Sequence, residues 1–188
     1  AAAATFVVYP DGNLTDEEAQ KYINESGIKD IVDRAASKVY VARPANGISF
    51  TDDDVIGFET IVGKIGVSNN FKLIGIGDGA TFINQNLTSY MNFVSGLALI
   101  NPAQGQEVKV SVPTYLTDDQ AVINSYVKAN NAGKVKDGYY ENPESHYEIV
   151  VVNSDTKTSA ADATKDAWNT VLEKFGRIGN YSEVYKQT

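Results

Sequence analysis

Phe71-Lys-Leu-Ile-Gly-Ile-Gly-Asp-Gly-Ala-Thr-Phe82 is the stretch whose reading decides the fold. Residues 71–76 form a short apolar run, the mark of a buried strand. Glycines at 75, 77 and 79 follow, with Ala80 behind them. The spacing predicts a sharp turn into a helix over residues 80–90. A strand, a tight turn and a helix with small residues around one central position are the makings of a nucleophile elbow. Small residues are needed because backbone approaches backbone there. Gly75, Gly79 and Ala80 supply them, and the nucleophile slot falls on Gly77. The turn is present without the side chain that would do chemistry.

Outward from this stretch, β-branched and apolar runs recur at 5–9, 38–42, 94–100, 106–116 and 147–152. Each is short, continuous and apolar, as expected of parallel strands covered on both faces. Helical patterns lie between them. Thr15 or Asp16 caps one over 16–35, interrupted or kinked at Gly27. A second follows Asp52-Asp-Asp54, whose carboxylates suit a helix N-terminus. A third runs over 120–129 and a fourth, amphipathic through Trp168, over 162–175. Pro113 implies a short, edge or bulged strand. Residues 130–145 read as a loop. The fold class predicted is α/β, a doubly wound, mostly parallel sheet of about six strands with helices on both faces. Residues 1–175 form the domain and 176–188 a linker or tail.

Composition narrows the partners. The net charge of −8 gives no basic face for nucleic acid or anionic lipid. No apolar run reaches the length of a membrane span. With no cysteine, disulfides and thiolate metal sites are excluded. Richness in Asn, Thr, Ser and Tyr leans towards an extracellular or cell-surface setting. Three Asn-x-Ser/Thr triplets, at Asn13, Asn86 and Asn180, occur at a frequency chance alone produces. The chain opens on Ala1-Ala-Ala-Ala4 and enters a strand by Phe6, as a piece of a longer protein would.

The candidates for chemistry are few. Gly75-Ile-Gly77-Asp-Gly-Ala80 also fits a dinucleotide fingerprint, but it stands in the third βα unit. Asn101-Pro102, not an acid, ends the next strand. Asp52, Asp53 and Asp54 have no further ligands for a metal. His146 is the chain's one histidine, and it precedes the last strand. Trp168 reads as a packing anchor. Tyr139, Tyr140 and Tyr147 could stack on a sugar. No cofactor or metal is expected.

The order of elements resembles the α/β-hydrolase fold, and within it the esterase and polyhydroxybutyrate-depolymerase-like branch. Val7-Val-Tyr-Pro-Asp-Gly12 matches a strand end near the oxyanion side of that family's site. Gly75-Ile-Gly-Asp-Gly-Ala80 matches its elbow, Asn101-Pro102 the end of the next strand, and Asp119, beside Asp118, the triad acid. The chain then starts at what would be the family's third strand. The resemblance implies a serine at the elbow and a histidine after the last strand. Here Gly77 replaces the serine, and residues 153–161 hold no histidine. Asp78 as a nucleophile would place the bulky Ile76 two residues before it, still without a base. Ser154, Ser159 and Thr81 cannot be paired with an imidazole. A triad needs all three groups. The expectation is therefore a degenerate elbow of Gly75, Gly77, Asp78 and Gly79 with a relic acid at Asp119. That is a non-catalytic module of a larger secreted esterase-like protein, packed on a catalytic domain of the same polypeptide or on a protein partner. The alternatives are a hydrolase with a non-standard site around Asp78 and Asp119, and a carbohydrate- or small-ligand-binding module.

Overall fold

A computed structural model of the chain describes residues 4–35, 37–65, 71–86, 94–107, 109–110, 112–153 and 159–173. Strand β1 (Thr5–Tyr9) leads to helices α1 (Asp16–Glu25) and α2 (Ile28–Ala35) and then to β2 (Lys38–Val41). Helix α3 (Val55–Ile65), strand β3 (Phe71–Ile76), helix α4 (Asp78–Asn86) and strand β4 (Gly96–Ile100) follow. The chain continues through β5 (Thr114–Thr117), α5 (Gln120–Ala129), β6 (Gly133–Lys136), β7 (Tyr139–Asn142), β8 (Ser145–Asn153) and α6 (Ala160–Ala167). A π-helical turn, Trp168–Leu172, extends α6.

One sheet holds every described strand, in the order β2-β1-β3-β4-β5-β8-β7-β6. The pairs from β2 through β8 are parallel, and those of β7 with β8 and β6 with β7 are antiparallel. The α/β class and the mostly parallel sheet are as the sequence implies, but the described residues form eight strands rather than about six. The two extra come from residues 130–145, expected as a loop. Asp137-Gly138 is a hairpin turn, with Gly138 at φ +77°, flanked by polar strands. β6 is exposed along its whole length, so it shows no apolar signal.

The strand expected over 106–116 is another correction. Among the described residues of this stretch, strand begins at Thr114 and runs to Thr117. Pro113 cannot donate to a ladder, and upstream the Val110 amide donates to Asn130 Oδ1 at 2.7 Å. Val110 and Val112 are buried in irregular chain. Of the helix expected over 80–90, residues 87–90 lie outside the described residues. So do Phe175, the boundary at 175/176 and the tail 176–188.

Local signals account for the helix ends. Thr15 Oγ1 accepts from the Glu18 amide, and Glu18 returns a bond to the Thr15 amide. This capping box satisfies backbone donors that would otherwise be free at the start of α1. Gly27, at φ +84°, separates α1 from α2. Thr51 caps a 3₁₀ turn at Asp52–Asp54, so the acidic run does start a helix, one turn earlier than α3.

The two faces of the sheet carry separate cores. Val7, Tyr9, Leu73 and Leu97 pack with Phe58 of α3, Phe82 and Ile83 of α4 and Ile123 of α5. Phe6, Val8, Ile74 and Ala98 pack with Tyr22 of α1, Ile31 of α2, and Ala163, Ala167, Val171 and Leu172 at the C-terminal end. Trp168 stands with its ring centroid 5.7 Å from that of Phe6, the anchor expected of it.

Candidate functional site

β1 has β2 on one side and β3 on the other. The winding of the sheet reverses there, and the carboxyl ends of strands at such a point are where open α/β sheets hold ligands. A glycine turn at Gly77 leaves the carboxyl end of β3, and Asp11 follows that of β1.

The elbow is built as its sequence requires. Gly77 stands at φ +54°, the left-handed region where a side chain is strained. Its amide donates to Ile100 O of β4 at 2.7 Å, and its carbonyl accepts from the Thr81 amide at 3.1 Å. A Cβ on Gly79 would lie 1.8 Å from Tyr9 O, and one on Gly75 2.7 Å from Ala80 Cα. Both contacts are backbone, so α4 can leave β3 this sharply only with glycine at 75 and 79.

Gly77 differs from these two. A Cβ there would lie 2.4 Å from Asp11 Cγ and Oδ1. The carboxylate of Asp11 thus fills the space a nucleophile's side chain would take. Its Oδ1 accepts a 2.9 Å bond from the Asp78 amide. That amide follows the elbow position, where an acyl-transfer site places an oxyanion donor.

The remaining candidates are held in structural roles. Asp78 Oδ2 accepts from the Phe50 amide at 2.9 Å, fastening the loop after β2 onto the elbow. Phe50 then meets Tyr9 at 5.1 Å and Phe82 at 5.5 Å between ring centroids, in a buried aromatic cluster with Phe58. Burial pushes the Tyr9 hydroxyl well above its ordinary range. Asp119 is the N-cap of α5, its Oδ1 accepting from the Val122 amide at 3.0 Å. Asp118 accepts from the Asp119 amide at 2.7 Å, and partial burial raises its carboxyl above the usual range. Thr81 Oγ1 accepts from the Ala103 amide. Ser159 caps α6, and Ser154 lies outside the described residues.

His146 falls in β8, near the strand end opposite the elbow, since Val150 pairs Thr114 and Asn153 pairs Thr117. Its side chain lies outside the described residues, as does that of Tyr147. Tyr139 and Tyr140 are neighbours on β7, so their rings point to opposite faces. Tyr139 packs on the α6 side, with Lys136 Nζ 4.2 Å above its ring, and Tyr140 on the α5 side. They form no common stacking platform. Among the described residues, no three His, Asp or Glu side chains gather as a metal would need, and no helix is long and apolar enough to cross a membrane.

Sequence reasoning missed Asp11. The signal was its place two residues past β1 in Tyr9-Pro-Asp-Gly12, beside the turn that follows β3. The identity of the group filling an empty slot shows only in three dimensions.

No protein-family model matches the chain, and no curated protein matches it. Among solved structures, it is similar to a crystallised protein of unknown function from Agrobacterium tumefaciens. The identity is 12% over 94% of this chain and 93% of that one, with a TM-score of 0.50. The likeness is one of fold.

Proposed function

We propose that this chain is a non-catalytic, α/β-hydrolase-like module of a larger secreted, esterase-like protein. One observation carries the reading. The nucleophile slot at Gly77 is filled by Asp11, whose carboxylate also engages the following amide. An ester carbonyl would need both places, its carbon beside a nucleophile and its oxygen on that amide. The duties of Asp78 as a loop anchor and Asp119 as a helix cap support it further. The module's role is then to pack on a catalytic domain of the same polypeptide or on a protein partner.

Hydrolysis of p-nitrophenyl acetate by the purified chain tests the reading. The expected rate is that of buffer with an equal mass of inert protein. Saturable turnover that disappears in Asp11→Asn or Asp78→Asn would overturn it and establish a carboxylate-based hydrolase instead.

A further inference from the structure

Lys72 lies in the middle of the sheet, at the end of β3 away from the elbow, and is fully buried. It stands between Phe6 of β1 and Gly96 of β4. A Cβ on Gly96 would lie 3.3 Å from Lys72 Cδ, 3.4 Å from its Nζ and 2.9 Å from Leu172 Cδ2. The lysine stem therefore crosses Gly96 beneath the π-helical turn, which is buried through Val171 and Leu172. Its Nζ donates to Ser95 Oγ at 3.1 Å, and Ser95 Oγ in turn donates to Phe71 O at 3.0 Å. A protonated amine has three donors, and among the described residues Ser95 Oγ accepts from it.

Among the described residues, no charged group compensates. β1 presents Phe6, β4 presents Ser95 and Gly96, and the turn presents Leu172. On α6, Asp162 and Lys165 are exposed, and Asp166 accepts from the Tyr115 hydroxyl. Glu173 beyond the turn is exposed. On α1 and α2, Lys21 pairs with Glu25 and Lys29 with Asp33 at the surface.

We infer that Lys72 is a proton-operated latch: a proton on its buried amine releases α6 and the π turn from the sheet, and its loss seats them. Burial is the cause. It lowers the amine from its ordinary 10.5 to about 7. The closed state thus binds fewer protons than the open state between about pH 7 and 10.5. Closure strengthens as pH rises through that window and is constant below it. The covering segment is suited to open first, because its last turn is π-helical, a departure from the regular ladder.

Hydrogen exchange of the intact chain at pH 7 and pH 9, corrected for intrinsic rates, tests this. It is read at α6 and the π turn, with α5 on the opposite face as reference. Opening of α6 should be about fiftyfold more frequent at pH 7 than at pH 9. Protection in α6 at pH 7 should also be lower than in α5. Lys72→Met, and independently Lys72→Gln, should raise α6 protection at pH 7 by at least that factor and abolish the pH dependence. Trp168 emission checks that each variant is folded. Dependence on pH that survives in both folded variants belongs to another group, His146 included, and overturns the latch. Equal protection of α6 and α5 at pH 7 also overturns it, because nothing then opens locally.

Discussion

At the scale of single residues, three glycines two apart look alike in sequence and do different work. Gly75 and Gly79 are required by backbone contact, Gly77 by its φ and by Asp11. Gly79→Ala is expected to cost more than about 4 kcal/mol or to prevent folding, since Tyr9 O cannot move without breaking β1. Chemical denaturation of that variant beside the parent checks this, and a loss under about 1 kcal/mol would contradict the close approach. The need for small residues was legible, because the pattern reports a backbone constraint. The occupant of the slot was not, because Asp11 is 66 positions away in sequence and reaches Gly77 only through the pairing of β1 with β3. Lys72 was hidden for a related reason. One charged residue in an apolar run does not announce that it is buried.

At the scale of elements, Asp119 shows how a position can match a catalytic acid and serve another purpose. Its carboxylate begins α5. Asp119→Ala should lower stability by about 1 kcal/mol, the usual cost of a lost N-cap, and Asp119→Ser should restore most of it. Thermal unfolding of the two variants decides the point, and equal losses would contradict a capping role. Elements with a strong pattern were read well: α5 over 120–129, the break at Gly27, the cap at Thr15 and the strand over 71–76. Those set by tertiary contact were not. β6 and β7 form an edge hairpin too polar to register as strands. Buried Val110 and Val112 made irregular chain look like one. The π turn after α6 left no trace in the spacing, since Trp168, Val171 and Leu172 suit an α-helix equally well.

At the scale of the molecule, the sheet brings the ends of β1 and β3 together at the reversal of its winding, where an open α/β fold keeps its chemistry. Here that place is occupied by the chain's own carboxylate. The sequence carried the α/β class and the glycine turn after β3. The closure needed the strand order to bring the β1 loop onto the elbow. The central claim is that Asp11 and a side chain at position 77 compete for one space. A double-mutant cycle on Gly77→Ala and Asp11→Ala measures it most directly. Gly77→Ala alone should cost about 2 kcal/mol, part from the left-handed backbone and part from displacing Asp11 off the Asp78 amide. Asp11→Ala alone should cost about 1 kcal/mol. With the carboxylate gone the new methyl has room, so the double variant should be about 1 kcal/mol more stable than the sum predicts. Losses that add to within about 0.5 kcal/mol would contradict the account.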